Sequence, residues 1–427
     1  MASSTSLPVN HPQRLALANE VHARPPASLV TPEHVSYLAL LMDEGQREAE
    51  DRALAALGKL LNLALPAPDT GHLIVDAGSF RFKWERHTEF SSYVFFRPAV
   101  PTDGPDATAL DAVPADWVAD LPGKLIAAAH VTVRRPAPTE PNSMLEQRIF
   151  ADAIVGAEIS EGAGWVFTDF RVGGDGFLRF LLLDKSLSSR QAGRMVQRLV
   201  EIETYRTMAL LGFPVAKSVA AFLNRAEEEL AQLTQRMSRA DPSQDTALLN
   251  DLTRLAAQVE QSLATSAYRF GASQAYYDLV RRRVAELREQ RIPGIQTIEE
   301  FMERRLAPAM ATCAAIARRQ EELSARIARA SQFLRTRVDI ELAEQNQELL
   351  VQMNRRAKLQ LRLQQTVESI SIVAMTYYAA GLVGYIAKSA KSVGWAVNVD
   401  VAVGVSVPII LLVLVMGLRK MRKRLAD

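Results

Sequence analysis

The chain has 427 residues, of which 48% are hydrophobic and 23% charged, so it is too long for one compact core and too apolar to be wholly disordered. Its single cysteine, Cys313, excludes an intrachain disulfide framework and any four-cysteine zinc site, and fits a reducing compartment. The net charge of +2 is concentrated in Arg419 to Asp427, with five positive charges and one negative; a global basic field is absent, so nucleic acid is not an expected partner.

In chain order, Met1 to Arg14 has no apolar core of the kind a secretory signal needs. Residues 1–33 are rich in Pro and are expected to form an irregular arm. His34 to Leu41 reads as a strand and Gln46 to Leu63 as an amphipathic helix. Strand-like stretches follow at His72 to Asp76, Ser79 to Glu85 and Phe90 to Phe96. A Pro- and Asp-rich linker from Pro98 to Pro114 leads to a further strand at Leu125 to Val133. Ile154 to Ile159, Trp165 to Phe170 and Phe177 to Leu183 are separated by Glu161-Gly162-Ala163-Gly164 and Gly173-Gly174-Asp175-Gly176, which predicts a three-stranded meander. Gly173 to Gly176 is followed by a strand and has no Lys-Ser/Thr partner, so turn chemistry explains it better than a phosphate loop.

From residue 188 the pattern is helical. Ser188 or Ser189 caps a helix through Leu211, Gly212-Phe213-Pro214 permits a bend, and helix resumes from Val215 to about Arg239. Asp241-Pro242-Ser243 and Ile292-Pro293-Gly294 are turns on either side of a helix from Asp245 to Gln290. The next helix starts at Thr297, with Pro308 near its first turns. Between Ala309 and Ala380 there is neither proline nor glycine, and 72 continuous helical residues would span about 108 Å. Ile316, Leu323, Ile327, Leu334, Val338, Leu342, Leu349 and Met353 recur at steps of three, four or seven, a stripe for packing on neighbouring helices or subunits.

Two uncharged stretches close the chain: 19 residues from Ser369 to Ala387 and 18 from Val401 to Leu418. Each reaches the length needed for about 30 Å of hydrocarbon. Arg355, Arg356, Lys358 and Arg362 precede the first, and the basic tail follows the second. The connecting loop, 388–400, holds Lys388 and Lys391 against Asp400. Positive flanks favour the cytoplasmic side, so both termini are expected inside. The fold class that follows is an α+β membrane protein: a cytoplasmic mixed α/β domain (34–187), long antiparallel helices in a stalk (188–368), and a very long stalk helix continuing into a two-helix transmembrane hairpin (369–387 and 401–418) with a basic tail (419–427).

That order of parts resembles the CorA-type divalent-cation channels, and Thr366 to Ile370 through Tyr378 to Tyr385 is similar to the CorA segment that ends in a Gly-Met-Asn signature. Here Val383-Gly384-Tyr385-Ile386-Ala387 stands in its place, without Asn or Met, so standard magnesium selectivity is not expected. The resemblance implies a ring of subunits, five in that family, and transport gated from the cytoplasm. A second resemblance covers most of the chain. His11-Pro12, Asn19 to Pro25, Arg86 to Phe90, Arg335 to Ile340 and Asn354 to Arg356 are similar to a bacterial family called uncharacterised or predicted membrane-anchored protein, a domain of unknown function with two C-terminal spans. It implies a bacterial inner-membrane setting and no established activity.

Candidate sites are few. Glu85, His87 and Glu89 alternate, so a straight strand would place all three on one face; carboxylate and imidazole together suit Zn²⁺ or Mn²⁺, and a divalent cation is the cofactor they would take. The alternative is a charged solvent face paired with Arg81 or Arg86. His11, His22 and His34 have no spacing that fixes them as further ligands. Ser369, Val373, Thr376, Ala380 and Gly384 fall on one stripe of the first span, fitting close helix packing or pore lining. Arg419, Lys420, Arg422, Lys423 and Arg424 fit a topogenic role and attraction to anionic lipid. No nucleophile elbow and no Cys beside a His is present, so an enzyme is not expected. Asp169, Asp175 and Asp184 fall at turns or strand ends. The expected function is an oligomeric inner-membrane protein of CorA-like build, an ion channel or transporter of unspecified ion; the alternative is a membrane-anchored scaffold or regulator. Membrane lipids and further copies of the chain are the expected partners.

Overall fold

The computed structural model describes residues 8–15, 17–18, 25–63, 71–104, 106–138, 140, 154–239, 244–394, 396 and 398–426, without the side chains of 418 and 421–426. The chain divides into two compact units, Met1–Ser238 with Asn250–Ala330 and Arg239–Leu249 with Ser331–Asp427.

In the first unit the strands are β1 (Glu33–Leu41), β2 (His72–Asp76), β3 (Arg81–Arg86), β4 (Phe90–Pro98), β5 (Lys124–Arg134), β6 (Val155–Ile159), β7 (Gly164–Thr168) and β8 (Leu178–Asp184). They form one sheet in the order β2-β3-β4-β1-β5-β8-β7-β6. Every neighbouring pair is antiparallel except β5 with β8, where Ala129 lies opposite Leu178. The meander β6-β7-β8 turns at Gly162 and Gly176, whose φ of 89° and 87° lie in the left-handed region that glycine enters without strain.

Alternation gives the sheet two unlike faces. On one, Leu38, Leu40, Phe82, Trp84, Tyr93 and Phe95 pack beneath α1 (Arg47–Leu60) and α2 (Ala115–Ala119). Phe82 and Phe95 stack at 5.2 Å and the Trp117 ring meets Phe82 edge-on at 6.0 Å. Glu50 of α1 is fully buried there, but it accepts from Trp84 Nε1 (2.9 Å), Tyr93 Oη (3.0 Å) and Arg86 Nε (2.9 Å). Three donors offset the desolvation of that carboxylate. Helix α2 lies just beyond the stretch the sequence suggested as linker, after a 3-10 turn at Ala109–Ala112.

Across the other face runs α3 (Ser189–Leu210), capped by the Ser188–Gln191 box. It buries Ala192, Met195, Val196, Leu199, Val200 and Ile202. The following helices are α4 (Gly212–Arg239), α5 (Asp245–Leu287), α6 (Ile298–Arg305) and α7 (Ala307–Ser392). Within the first unit α4, α5 and α7 pack as three helices. Leu223 and Leu230, Leu255 and Val259, and Leu323 and Ile327 are buried, and Arg319 of α7 reaches Glu227 (2.7 Å) and Asn224 (2.7 Å) of α4. The helix expected to start at Thr297 breaks at Leu306, two residues before Pro308, which has no N–H for a helical turn. The turn at 292–294 returns the chain to the sheet, where Gln290 bridges Glu158 and Gln296 bridges Val155 along the β6 edge. The expected turn at 241–243 lies outside the described residues.

In the second unit, Asp245 is buried and pairs with Arg337 at 3.0 Å, beside buried Leu248 and Leu334. Helix α7 continues without interruption to Ser392, and α8 (Val399–Ala426) follows. The expected loop 388–400 is therefore shortened at both ends by helix. Among the described residues, three helical stretches are long and apolar enough to cross a membrane: Ser189–Arg239, Ile298–Ser392 and Val399–Gly417. The sequence suggested only the last two. The additional one is α3 with α4; a third of its apolar window is buried, including Met208, Ala209, Ala216, Val219 and Leu223, and Leu210, Leu211, Phe213, Val215 and Phe222 are half-buried.

Candidate functional site

Glu85, His87 and Glu89 are not gathered into one group. β3 ends at Arg86 and the residues up to Phe90 form the hairpin turn, so the strand alternation that would align them stops too early. Glu85 meets Lys83 Nζ at 3.0 Å. The His87 ring stacks on Phe90 at 4.4 Å. Glu89 accepts both ends of the Arg269 guanidinium, at 2.9 and 3.2 Å. Each has been recruited to a different contact, and among the described residues no group of three or more His, Cys, Asp or Glu is arranged to hold a metal ion. The arginines of the alternative have other carboxylate partners: Arg81 pairs with Glu33 and Arg86 with Glu50 and Asp51. Of the N-terminal histidines, His11 is exposed, His34 sits on β1 at 3.4 Å from Asp103, and His22 lies outside the described residues. Burial lowers the pKa of His34.

The structure instead gathers Glu85 and His87 into a pocket between the sheet and α3. Tyr37, Lys83, Glu85 and Ser92 line its sheet side, Gly193, Gln197, Glu201 and Tyr205 its helix side, and Ala27 of the arm closes one end, around a cavity of only about 30 Å³. The strand register sets the floor: Lys83 lies opposite Val94 and Glu85 opposite Ser92, while Tyr37 lies opposite Val94 on the other side. Lys83 and Glu85 are only 3% and 6% exposed, so the ion pair stands in a low-dielectric setting where removing either partner is costly. Tyr37 and Thr204 share a 2.9 Å hydrogen bond. Burial raises the pKa of both Tyr37 and Tyr205, keeping the phenols neutral. Gln197 donates to Glu201 at 2.7 Å, Glu201 also binds Arg283, and the Gln197 Oε1 atom is buried without a hydrogen-bond partner. Gly193 is a glycine for a steric reason: a Cβ there would stand 1.7 Å from the Ala27 carbonyl oxygen.

Lys83 was not evident from sequence, because Phe82-Lys83-Trp84-Glu85 reads as an aromatic inner face and a charged solvent face. The signal that the second face is covered lies over 100 residues away, in the apolar stripe of α3.

In the terminal hairpin, Thr376 and Ala380 are buried and Gly384 faces α8, where a Cβ would meet Val403 Cγ2 at 3.2 Å. The Thr376 hydroxyl donates to the Ile372 carbonyl at 2.7 Å and Ser369 to Gln365 at 2.8 Å, so both are satisfied along their own helix. Ser369 and Val373 are exposed. Arg419 and Lys420 are exposed at the end of α8; the side chains of Arg422, Lys423 and Arg424 lie outside the described residues. Asp169, Asp175 and Asp184 serve structure: Asp169 and Asp175 accept backbone N–H groups two residues on, and Asp184 accepts from Thr31 Oγ1 (2.6 Å) and the Leu187 amide (2.8 Å).

No curated protein and no solved structure matches the chain, so the likeness to CorA-type channels is not shown by any match. One family model does match, over residues 9–425. The chain belongs to the family described as protein of unknown function (DUF3422).

Proposed function

We propose that this protein is a membrane-anchored cytoplasmic platform, held by the hairpin of α7 and α8 and presenting the sheet and its helices to partners. The observation that carries the reading is the outer surface of that hairpin. Ile370, Tyr377, Leu382 and Tyr385 on α7, with Ile409 and Leu412 on α8, are all exposed and apolar or aromatic. In water such a surface costs about 25 cal/mol per Å²; in hydrocarbon it is at home, and each helix has the ~20 residues that crossing requires. Arg355, Arg356, Lys358 and Arg362 before α7's span and Arg419 and Lys420 after α8's put both ends on the cytoplasmic side. The basic tail then lies at anionic headgroups.

The full chain is expected to stay with membranes through an alkaline carbonate wash, and a chain ending at residue 366 to appear in the soluble fraction. Recovery of the full chain as a soluble protein would overturn the reading.

Self-association is part of the proposal. Leu342, Leu349, Leu363 and Ile370 are exposed on α7 at spacings of seven or fourteen, with Arg356 in the intervening place, a heptad seam suited to a second copy. A transport role draws on the same build, since α7 runs unbroken from Ala307 to Ser392. The anchor reading stands first because Gly384 meets α8 and Thr376 and Ala380 are buried, leaving apolar side chains outermost on the first span.

A further inference from the structure

We propose that β2, an outer strand of the sheet, pairs edge to edge with β2 of a second copy of the chain, antiparallel about a two-fold axis at Ile74. The contact lies in the first unit and depends neither on the membrane reading nor on the α7 seam.

The fold treats the two edges of its sheet differently. β6 stands at one edge, and Gln290 and Gln296 bridge to it from the turn beyond α5. β2 stands at the other, and among the described residues no strand or bridge lies outside it. An open edge offers a row of N–H and C=O groups to any strand that fits, and edges that stay single are commonly guarded by Lys or Pro. The centre of β2, Leu73-Ile74-Val75, carries neither.

The ladder shows which groups point outward. Gly71 O accepts from the Arg86 amide at 2.8 Å, and the Ala77 amide donates to Phe80 O at 2.9 Å. Between them Leu73 lies opposite Trp84 and Val75 opposite Phe82. Antiparallel strands bond to one neighbour at every second residue. The odd-numbered residues therefore bond to β3, and the N–H and C=O groups of His72, Ile74 and Asp76 face away from the sheet. The side chains alternate in the same way: Leu73 is buried in the core beneath α1 and Val75 packs against it, while Ile74, on the opposite face, is 48% exposed.

Self-complementarity identifies the occupant. An axis at Ile74 sets His72 opposite Asp76 of the second copy, Ile74 opposite Ile74, and Asp76 opposite His72. Every one of these pairs joins outward groups, and each exchanges two main-chain hydrogen bonds. The same axis puts an imidazole beside a carboxylate at both ends and apolar on apolar in the middle. Asp76 Oδ1 accepts the Gly78 amide at 2.9 Å, and the second oxygen of a carboxylate accepts as well. A register shifted by one residue sets outward groups against inward ones. A shift by two leaves a strand end unpaired and loses both His–Asp pairs. A ladder this short makes a weak interface, so the pairing is read best by covalent trapping.

The test uses the purified full-length chain in mild detergent, in a Cys313→Ala background, with copper-phenanthroline as oxidant. Cα atoms of a bonded antiparallel pair stand about 5.5 Å apart, within disulfide range. Two copies of residue 72, or of residue 76, would stand about 14 Å apart. Ile74→Cys should therefore form a disulfide-linked dimer at least tenfold faster than His72→Cys or Asp76→Cys alone. The chain carrying both His72→Cys and Asp76→Cys should crosslink where neither single variant does. Adding Ile74→Pro to that chain removes an outward N–H and none that bonds to β3, so it should melt within a few degrees of its parent and lose the crosslink. Equal rates at the three single positions, no dimer from Ile74→Cys, or a crosslink that survives Ile74→Pro would each overturn the proposal.

Discussion

His130 and Glu289 pull the stability of the first unit in opposite directions as pH changes. His130 is buried between Ser36 Oγ, 2.9 Å from its Nδ1, and the Phe177 ring at 4.0 Å, and burial lowers its pKa to about 4. The folded protein then binds fewer protons than the unfolded chain between about pH 4 and 6.5. Stability from this residue is present above that window and falls by about 3 kcal/mol as pH drops through it. Glu289 accepts the amides of Ile298 and Glu299 at 3.0 and 2.9 Å, and burial raises its pKa to about 6. Here the folded state holds the extra proton, so about 2 kcal/mol is present at low pH and lost as pH rises through 4.5 to 6. Melting curves between pH 7 and about pH 4 should therefore show His130→Asn with a flatter acid decline than the parent, and Glu289→Gln with a steeper one. Identical pH profiles for the variants and the parent would contradict both assignments. Neither residue's role was legible in the sequence. Burial of His130 depends on β1 and β5 lying side by side, and that of Glu289 on the chain's return to the β6 edge.

Elements with their own periodic signal were read well. β2 occupies His72–Asp76 as the sequence suggests, the meander closes at its Gly-rich turns, and α3 starts from its Ser188 cap. Ser188→Ala should cost about 1 kcal/mol of stability, measured by chemical denaturation. What was missed depends on distant partners or short range. α2 has five residues and follows a Pro-rich stretch, too short for periodicity to declare it. The break at Leu306 is a local effect of Pro308 whose exact place the packing decides. The Glu85-His87-Glu89 face failed because a tight hairpin interrupted it. Two glycines give direct tests of close packing. Gly193→Ala should displace the arm at Ala27, read as faster proteolysis between residues 25 and 30 with the sheet domain still folded. Gly384→Leu should separate α7 from α8 at Val403, read as a lowered melting temperature in detergent, whereas Gly381→Leu, with nothing within 4 Å of its Cβ position, should leave the melt unchanged. Equal effects at 381 and 384 would contradict the hairpin register.

At the scale of the molecule, two units divide the work. The first has its apolar surface turned inward on both sides of the sheet, and the second keeps much of its apolar surface outside: Leu342, Leu349, Leu363 and Ile370 on α7 and Ile409 and Leu412 on α8. Such a division suits a folded domain carried on a membrane-inserted, self-associating helix. Of these outer apolar residues, Ile370, Ile409 and Leu412 were legible because they lie in uncharged runs whose length has few other uses in a sequence, while the pocket beneath α3 was not, because its charges alternate like those of a solvated strand. Leu349→Lys with Leu363→Lys should lower the native mass in mild detergent without releasing the protein from membranes, which separates self-association from anchoring; an unchanged mass would remove the α7 seam from the account. The central claim, a hairpin anchor with both ends on one side, is tested most directly by single-cysteine labelling in a Cys313→Ala background. Intact cells carrying Ser392→Cys, at the end of α7 where the connection to α8 begins, should react with an impermeant maleimide, and cells carrying Asp427→Cys should react only after permeabilisation. Labelling of the tail from outside, or protection of the loop with exposure of neither end, would contradict it.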